Sequence, residues 1–406
     1  MALPVVITGA GVISSLGDRP ATLHQALLDG RSGLGPITGV EGGGGHGAQV
    51  VDFAPEQYLS QDQLKPPLSP MPRVVQLCAA AVEQALDGSD WTLEAREKHR
   101  LGLIVGTMFC SVGAIAAFDR KVRKMPLEFA NTVINAAAGK AAICHRLTGI
   151  NSTLAAGLTS GLQAIAYAAD LIAQGRTKAL VAGGAEELST EGFLALHRSG
   201  LLCGVAGEDP YPLPCDRRRN GFAPGEGAAF LVLEEEAAAR QRGALALGRV
   251  EGHASLYDVE GGRDAASARR TLQRTIGLAL ENADLEAAQI DAVSAAAHGG
   301  PAFDRREAEA LAGVFGPAGP PVTAIKAMLG ETLGAAGALQ AVDLVESMQE
   351  GALPGIAGLE QVETDWPLDN LVRESRRIDL RTGLIEAVGY DGHCCALVLS
   401  RPEENG

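Results

Sequence analysis

The sequence predicts an α/β protein built from two similar halves, each with helices packed around a parallel or mixed sheet. Apolar strands alternate with amphipathic helices along the whole chain, which is the pattern of sheets covered by helices. Glycine-rich turns end the strands in both halves. The 406 residues are 46% apolar but only 4% aromatic, enough for two cores of small side chains. Two such halves, residues 1–245 and 246–406, would stack as α-β-α-β-α layers.

In the first half the predicted strands are short apolar runs, and the predicted helices carry apolar residues three and four apart. The strands are predicted at 4–16, 101–106, 154–156, 179–184 and 230–233, and the helices at 21–29, 74–87 and 111–124. Another helix opens at 135, and the helix after the 154–156 strand runs to residue 175. The first strand reaches Gly9-Ala10-Gly11, which we expect to be a tight turn. A dinucleotide-binding loop would need a third glycine and a following acidic residue, and both are missing.

The second half repeats the alternation of strands and helices. Its strands are predicted at 249–257, 290–297, 321–323, 383–391 and 394–400, and its helices at 267–283 and 304–314, with a third opening after residue 330.

Composition and charge argue against several classes of function. The net charge of −15 is unsuited to a general nucleic-acid surface. The seven cysteines include no C-x-x-C pair, so a structural zinc site is not expected. The chain starts directly with a strand and has no run of about 18 apolar residues, so neither a signal peptide nor a membrane span is expected. Reduced cysteines and these absences favour a cytoplasmic location.

One strand–turn–helix elbow, at residues 152–175, has the form of a catalytic site. A tight turn flanked by glycines holds one side chain at the start of a helix. The helix dipole favours a developing negative charge there, so the position suits a nucleophile. The residue in that position is Leu158, which has no such chemistry.

Motifs along the whole chain resemble the β-ketoacyl synthase family, condensing enzymes of the thiolase superfamily. They are the opening strand with Gly9-Ala10-Gly11, the segment from Cys215 to Ala229, His298-Gly299, the run Asp304 to Leu311, Lys326 to Glu331, and Gly334 to Gly337. The resemblance implies a thiolase-like α-β-α-β-α fold. It also implies a condensation in which a Cys takes the acyl chain and two His stabilise the charge formed on decarboxylation of malonyl.

The family's catalytic residues are altered in this chain. Leu158 stands where the family has its Cys, and Glu331 where it has the second His; His298 is retained. A carboxylate at Glu331 would repel an enolate. Lys326 and Glu307 remain from the family pattern. They could form a buried pair with each other, or Lys326 could pair with Glu331.

The regions that handle the acyl chain in the family differ as well. The H-G-T-G-T stretch is shorter and lacks the Thr residues that bind the phosphopantetheine arm. The gating loop reads Gly389-Tyr390-Asp391-Gly392, with Tyr390 as its bulky residue. In relatives the helix predicted at 111–124 lines the acyl tunnel across a subunit interface. The resemblance therefore makes Ser111, Ala114 and Phe118 candidate tunnel residues.

A ketosynthase-like chain without the Cys and one His is similar to the chain-length factors of type II polyketide synthases. The resemblance implies a subunit that is not catalytic alone. It would pair with an active ketosynthase and set how long the acyl chain grows. No cofactor or metal of its own is expected. A carrier protein's phosphopantetheine arm would be held mainly by the partner, so contact with the carrier protein would be indirect. Neither nucleic acid nor membrane is an expected partner.

Two other interpretations stay open from the sequence. The chain could be a homodimeric scaffold that docks carrier protein. It could instead be an acyltransferase with an unconventional nucleophile, for which the candidates are Thr159, Ser160, Cys110, Cys203 and Cys215. A decarboxylase that makes starter units is disfavoured, because Leu158 cannot donate the hydrogen bonds that a Gln offers in such relatives.

Overall fold

The computed structural model describes residues 2–40, 45–65, 70–123, 125–205, 209–260 and 264–402. Within them, ten strands join into one continuous hydrogen-bonded sheet. The strands are β1 (Val5–Ile13), β2 (Gly102–Gly106), β3 (Asn151–Leu154), β4 (Ala179–Glu186), β5 (Gly227–Glu235), β6 (Gly248–Tyr257), β7 (Ala292–Ser294), β8 (Val322–Thr323), β9 (Thr382–Val388) and β10 (His393–Ser400). Two minor strand pairs lie outside this sheet: Gly35–Pro36 with His46–Gly47, and Ala352–Leu353 with Arg376–Arg377.

The strand order is the same in the two halves. The first half runs β3-β2-β4-β5-β1 and the second runs β8-β7-β9-β10-β6. In each half three strands are parallel, and the remaining two pair antiparallel. A short antiparallel contact between β1 and β6, where Val5 faces Val250, joins the halves. This repeat confirms two similar halves with mixed sheets.

Nine helices of eight or more residues are present in the described ranges. They are α1 (Pro20–Leu28), α2 (Arg73–Asp87), α3 (Val112–Asp119), α4 (Ala136–Cys144), α5 (Ser160–Ala173), α6 (Thr190–Ser199), α7 (Ala265–Ala283), α8 (Pro301–Phe315) and α9 (Ala336–Glu350). Shorter helices span Gln61–Leu64, Leu93–Lys98, Pro126–Phe129, Glu236–Gln241 and Lys326–Leu329, and single 3-10 turns span Pro55–Gln57, Gly157–Thr159, Ala287–Gln289 and Leu333–Ala335.

The helices and sheets form five layers. Helices α2 and α4 cover the outer face of the first sheet, while α7 and α8 cover the second. Between the sheets lie α5 and α9, which contact each other and strands of both halves. Both central helices are apolar on several sides, as burial between two sheets requires: α9 has 12 buried residues among its 15. The thiolase-like α-β-α-β-α arrangement is therefore confirmed.

The tight turn expected at Gly9-Ala10-Gly11 is wrong. Strand β1 continues through these residues to Ile13, with a shift in its pairing between Ile7 and Gly9. Helix α2 crosses so closely that a Cβ on Gly9 would lie 2.4 Å from the Ala85 carbonyl oxygen, and one on Gly11 2.1 Å from that of Ala81. The glycines serve this close helix–strand approach and do not mark the end of a strand.

Several predicted boundaries also shift. The helix expected at 111–124 ends at Asp119, and the strand expected at 154–156 occupies 151–154. Helix α8 begins at Pro301, three residues earlier than expected, because proline is favoured in the first turn of a helix. No helix in the described part of the chain is both long and apolar enough to cross a bilayer.

Candidate functional site

The elbow that precedes α5 is a single 3-10 turn locked by its own hydroxyl groups. Thr159 Oγ1 donates to the Ala156 carbonyl at 2.7 Å, and Ser160 Oγ donates to the Gly157 carbonyl at 2.7 Å. Ser160 Oγ also accepts from the Ala156 N–H at 2.9 Å. Gly157 has a φ of +58°, and a Cβ on it would lie 2.8 Å from Asp391 Oδ2. Both candidate hydroxyl nucleophiles are thus buried and used by the turn.

Leu158 fills an apolar space at the start of α5. Its side chain is buried in a cluster that contains Ile37, Leu188, Phe193, Leu196, Leu202, Phe222 and Leu333. Tyr390, the predicted gating residue, packs against the same cluster. The position that suits a nucleophile is therefore occupied by a hydrocarbon side chain within a hydrophobic core.

Lys326 and Glu331 form a buried ion pair beside this cluster. Lys326 Nζ lies 2.8 Å from Glu331 Oε2, and neither side chain has appreciable exposure to solvent. Glu331 Oε1 accepts from the Leu333 N–H at 2.9 Å. Its backbone is anchored as well, because its N–H donates to the Ala223 carbonyl at 2.7 Å. Each carboxylate oxygen of Glu331 is therefore engaged, and the pairing of Lys326 with Glu331 is the one that forms.

The alternative prediction of an ion pair between Glu307 and Lys326 is wrong, because Glu307 has a different partner. Glu307 lies beside Glu386, and the Oε1 atoms of both accept from the Ala296 N–H at 2.7 Å. Burial and the neighbouring Glu386 raise the pKa of Glu307 well above its usual range, and burial also raises the pKa of Glu386. We infer that the two carboxyl groups share a proton, since two buried like charges in contact would be very costly. No sequence motif indicated Glu386.

His298 is buried among aromatic rings and neutral. Its Nδ1 accepts from the Gly300 N–H at 3.3 Å, so the proton is assigned to Nε2, which lies 3.2 Å from the Tyr390 hydroxyl. The ring stacks on Phe303 at 4.2 Å and meets the edge of Phe222 at 5.0 Å. Burial, and then the charge of Lys326, lower the pKa of His298 well below its usual range. Both ring nitrogens of His298 therefore have hydrogen-bond partners, Nδ1 with the Gly300 backbone and Nε2 with the Tyr390 hydroxyl.

Asp304 holds the turn that presents His298. Its carboxylate accepts backbone N–H bonds from Cys215 at 3.0 Å and from His298 at 3.1 Å, and it also bonds Gly299. Burial raises its pKa to about 6, although these N–H bonds favour the charged form. Asp304 is the aspartate of the D-x-x-E motif that follows the shortened His298 loop. This motif is the sequence signal that could have identified Asp304 as the residue that anchors the loop.

The three candidate tunnel residues lie on another element. Ser111 is buried immediately before α3, and Ala114 and Phe118 are half-buried on it. Phe118 faces Phe129 across a ring distance of 5.9 Å. The structure therefore brings Leu158, Tyr390 and His298 into one region and Lys326 and Glu331 into one pair, with the tunnel candidates on the separate helix α3.

The candidate cysteine nucleophiles lie in environments that disfavour the thiolate. Burial raises the pKa of Cys110, raises that of Cys203 to about 12, and raises that of Cys215 well above its usual range. Thiol reactivity depends on the thiolate, so none of these three is an activated nucleophile in this structure.

Comparisons with known proteins agree with this geometry. The β-ketoacyl synthase N-terminal domain matches residues 2–239, and the β-ketoacyl synthase C-terminal domain matches residues 247–360. The chain is 32% identical to the actinorhodin polyketide putative beta-ketoacyl synthase 2 of Streptomyces coelicolor, over 98% of this chain and 99% of that protein. It is also 32% identical to the tetracenomycin polyketide synthase ketoacyl synthase beta subunit of Streptomyces glaucescens, over 98% of each.

A solved structure is similar over nearly the full length. The ishigamide ketosynthase/chain length factor superposes with a TM-score of 0.90 at 28% identity, covering 99% of this chain and 100% of that one. Sequence motifs, five-layered fold and full-length relatives thus agree, and the chain belongs to the β-ketoacyl synthase family, with similarity to its polyketide synthase beta subunits and chain length factors.

Proposed function

We propose that this chain is a non-catalytic chain-length factor, which pairs with an active ketosynthase and sets how long the acyl chain grows. One observation carries the proposal. At the two positions where the family has its Cys and second His, this chain has the buried Leu158 and a Glu331 bound to Lys326. The similarity to the tetracenomycin beta subunit and to the ishigamide ketosynthase/chain length factor supports the same role.

The chemistry of these residues supports a lack of condensing activity. A leucine cannot form the thioester on which the reaction depends. Decarboxylation of malonyl needs hydrogen-bond donors directed at the enolate oxygen, whereas Glu331 directs oxygens there. The retained His298 is stacked on Phe303, and its Nε2 faces Tyr390. We therefore propose that catalysis belongs to the partner subunit alone.

An uncovered sheet edge supports pairing with a second subunit. Strand β3 ends the first half of the sheet and bonds only to β2 among the described strands. The equivalent edge strand of the second half, β8, is covered: Val322 N–H donates to Asn370, and Val372 N–H donates back to Val322. Open strand edges attract further strands, so the contrast favours a partner at β3.

An apolar surface includes part of α3 and the segment that follows it. Its large exposed side chains are Ile115, Val122, Met125, Leu127, Phe129, Val133 and Ile134. So many exposed apolar residues in one segment are typical of a protein–protein interface. We propose that this surface meets the ketosynthase and that Ser111, Ala114 and Phe118 reach its acyl tunnel. Elongation would stop when the chain meets this wall, since forcing extra methylenes into a packed core costs about 1–3 kcal/mol.

Contact with the carrier protein is proposed to be indirect. The Thr residues that hold the phosphopantetheine arm in the family are absent, and α8 begins at Pro301 in their place. The arm would therefore be held mainly by the ketosynthase subunit, with no cofactor bound by this chain.

The test is reconstitution with malonyl-loaded carrier protein. The chain would be purified alone and co-expressed with an intact ketosynthase encoded beside it, and acyl products would be read by mass spectrometry. We expect long chains only from the pair, and unchanged products when Leu158→Ala replaces the wild-type chain. Malonyl consumption by the chain alone would instead support an acyltransferase with its own nucleophile. A stable homodimer that does not bind the ketosynthase would support the interpretation as a homodimeric scaffold.

A further inference from the structure

We propose that Glu187 is a positioning residue for α3, and that through α3 it sets the depth of the acyl tunnel. The inference rests on the proposed function, in which α3 forms part of the tunnel wall. Glu187 does not touch the acyl chain in this account. It acts by holding the start of α3 against the core.

Glu187 joins the N-termini of two helices. It follows strand β4 directly and is buried, with an exposed fraction of 6%. Its Oε2 accepts from the N–H of Val74, near the start of α2, at 2.9 Å. The same carboxylate lies against Gly113, near the start of α3, with Oε1 3.0 Å from where a Cβ on that glycine would be. Helix N-termini carry partial positive charge, so one carboxylate stabilises both ends and fixes their separation.

The contact with α3 is close enough to require glycine. A Cβ on Gly113 would lie 3.0 Å from Glu187 Oε1 and 3.2 Å from the Ser189 Cβ. An alanine at this position would need α3 or the Glu187 carboxylate to shift by a few tenths of an ångström. The other helix on this carboxylate, α2, has ten buried residues and packs firmly on the first sheet. Glu187 therefore fixes the position of α3 relative to α2, which is firmly packed in the core.

The preceding residue, Glu186, fixes the turn that leads into α3. Its carboxylate accepts from the N–H groups of Met108, Phe109 and Cys110 at 2.6, 3.0 and 2.8 Å. Two consecutive carboxylates at the end of β4 thus hold the turn and the first residues of the helix.

Helix α3 is only partly buried. None of its eight residues, all within the described ranges, is buried. Beyond its far end Arg120 pairs with Glu191 at 3.2 Å, but the Arg120 side chain is 67% exposed, and such surface pairs contribute little. The buried carboxylate of Glu187 therefore holds the start of α3 more firmly than this surface pair holds its end.

The experiment compares product length in the complete pair with ketosynthase. Glu187→Gln keeps the size of the side chain but replaces one of the two carboxylate oxygens with an NH2 group, which cannot accept a hydrogen bond and carries no negative charge. We expect products of neighbouring lengths to rise relative to the main product by on the order of tenfold, equivalent to a difference of about 1.4 kcal/mol. A purely structural role would lower the yield of intact pair and leave this ratio unchanged.

Two further variants make the result decisive. Glu374→Gln, an exposed glutamate in the second half of the chain, is the control and should leave the ratio as in the wild type. If Glu187→Gln does not pair, Gly113→Ala tests the same contact by displacing α3, and the same broadening is expected. Suppose that the variant that pairs, Glu187→Gln or Gly113→Ala, gives the wild-type ratio of products while Phe118→Ala changes product length. That result overturns the role of Glu187 but leaves the proposed tunnel wall in place. If neither that variant nor Phe118→Ala changes product length, both the role of Glu187 and the proposed tunnel wall on α3 are wrong.

Discussion

The ammonium group of Lys326 lies 2.8 Å from the carboxylate of Glu331, inside the core and out of contact with solvent. Because Glu331 stands where the family has a histidine, the pair replaces a hydrogen-bond donor with a neutralised pair of charges. Lys326 is then no longer available to a developing anion. Under the proposed function, the pair would close the site by electrostatics and Leu158 would close it by packing.

Removing one member of this pair should be far more harmful than removing both. We expect Glu331→Ala to lower the free energy of unfolding by about 3–5 kcal/mol, because it leaves the buried Lys326 without a counter-charge. The double variant Lys326→Met/Glu331→Leu should lie close to the wild type. Urea unfolding followed by circular dichroism measures both. Equal losses of unfolding free energy in the single and double variants would show that the unpaired charge of Lys326 is not the cause of the destabilisation.

Restoring the nucleophile alone should not restore chemistry. We expect Leu158→Cys to remain inactive in malonyl decarboxylation with carrier protein, because Glu331 would still face the enolate and Lys326 would still be paired. Release of carbon dioxide by the chain without its partner is the measurement. The comparison is Leu158→Cys/Glu331→His, which returns both missing groups. Activity in the single variant would contradict the role assigned to Glu331.

The size of Phe118 should limit product length. We expect Phe118→Ala, in the pair with ketosynthase, to lengthen the product by at least one acetate unit, because truncating the ring opens space at the proposed wall. Mass spectrometry of the released chains is the readout. The pair must elute intact on gel filtration for the comparison to hold. An unchanged distribution from an intact pair would place the wall elsewhere.

The open edge of β3 should be needed for pairing. The carbonyls of Ile150 and Leu154 bond to β2, so the alternation of a strand directs the N–H of Thr153 outward. We expect Thr153→Pro to weaken association with the ketosynthase by at least about tenfold, since proline removes a donor from the edge.

The neighbouring position supplies the control for this edge. Ser152→Pro removes an N–H that the same alternation directs at β2, so it should destabilise the isolated chain as well. Analytical ultracentrifugation measures association, and thermal unfolding of the chain alone measures stability. Normal association of Thr153→Pro would exclude β3 as the pairing edge.

The Glu307–Glu386 pair should make stability depend on pH. The pKa values of both groups are raised in the folded state from the ordinary value of 4.5. Their contribution to stability is therefore fully present below that value and is lost as pH rises through the raised pKa values. We expect Glu386→Gln to flatten the decline of the free energy of unfolding above pH 4.5. The exposed Glu374→Gln should leave the slope unchanged, and a flattening there would implicate general charge instead.

The family pattern was readable from sequence because its motifs are local. The strand–turn–helix elbow, the loss of the Cys at Leu158 and the replacement of a His by Glu331 each depend on residues a few positions apart. The same holds for the alternation of strands and helices, which predicted the two similar halves that the strand order confirms. Periodicity could not show what Gly9 and Gly11 do, because their role depends on α2, which crosses β1 only in the folded chain.

By itself, the sequence determined the fold class, the two halves and the leucine in the elbow at position 158, since side-chain identity and periodicity are properties of short segments. Only the tertiary structure decided which charges meet. Lys326 could have paired with Glu307 or Glu331; it pairs with Glu331, and Glu307 lies beside Glu386 on β9. Likewise, Glu187 reaches α3 only because β4 ends beside two helix starts. Such pairings depend on distances between segments remote in the chain, which packing alone sets.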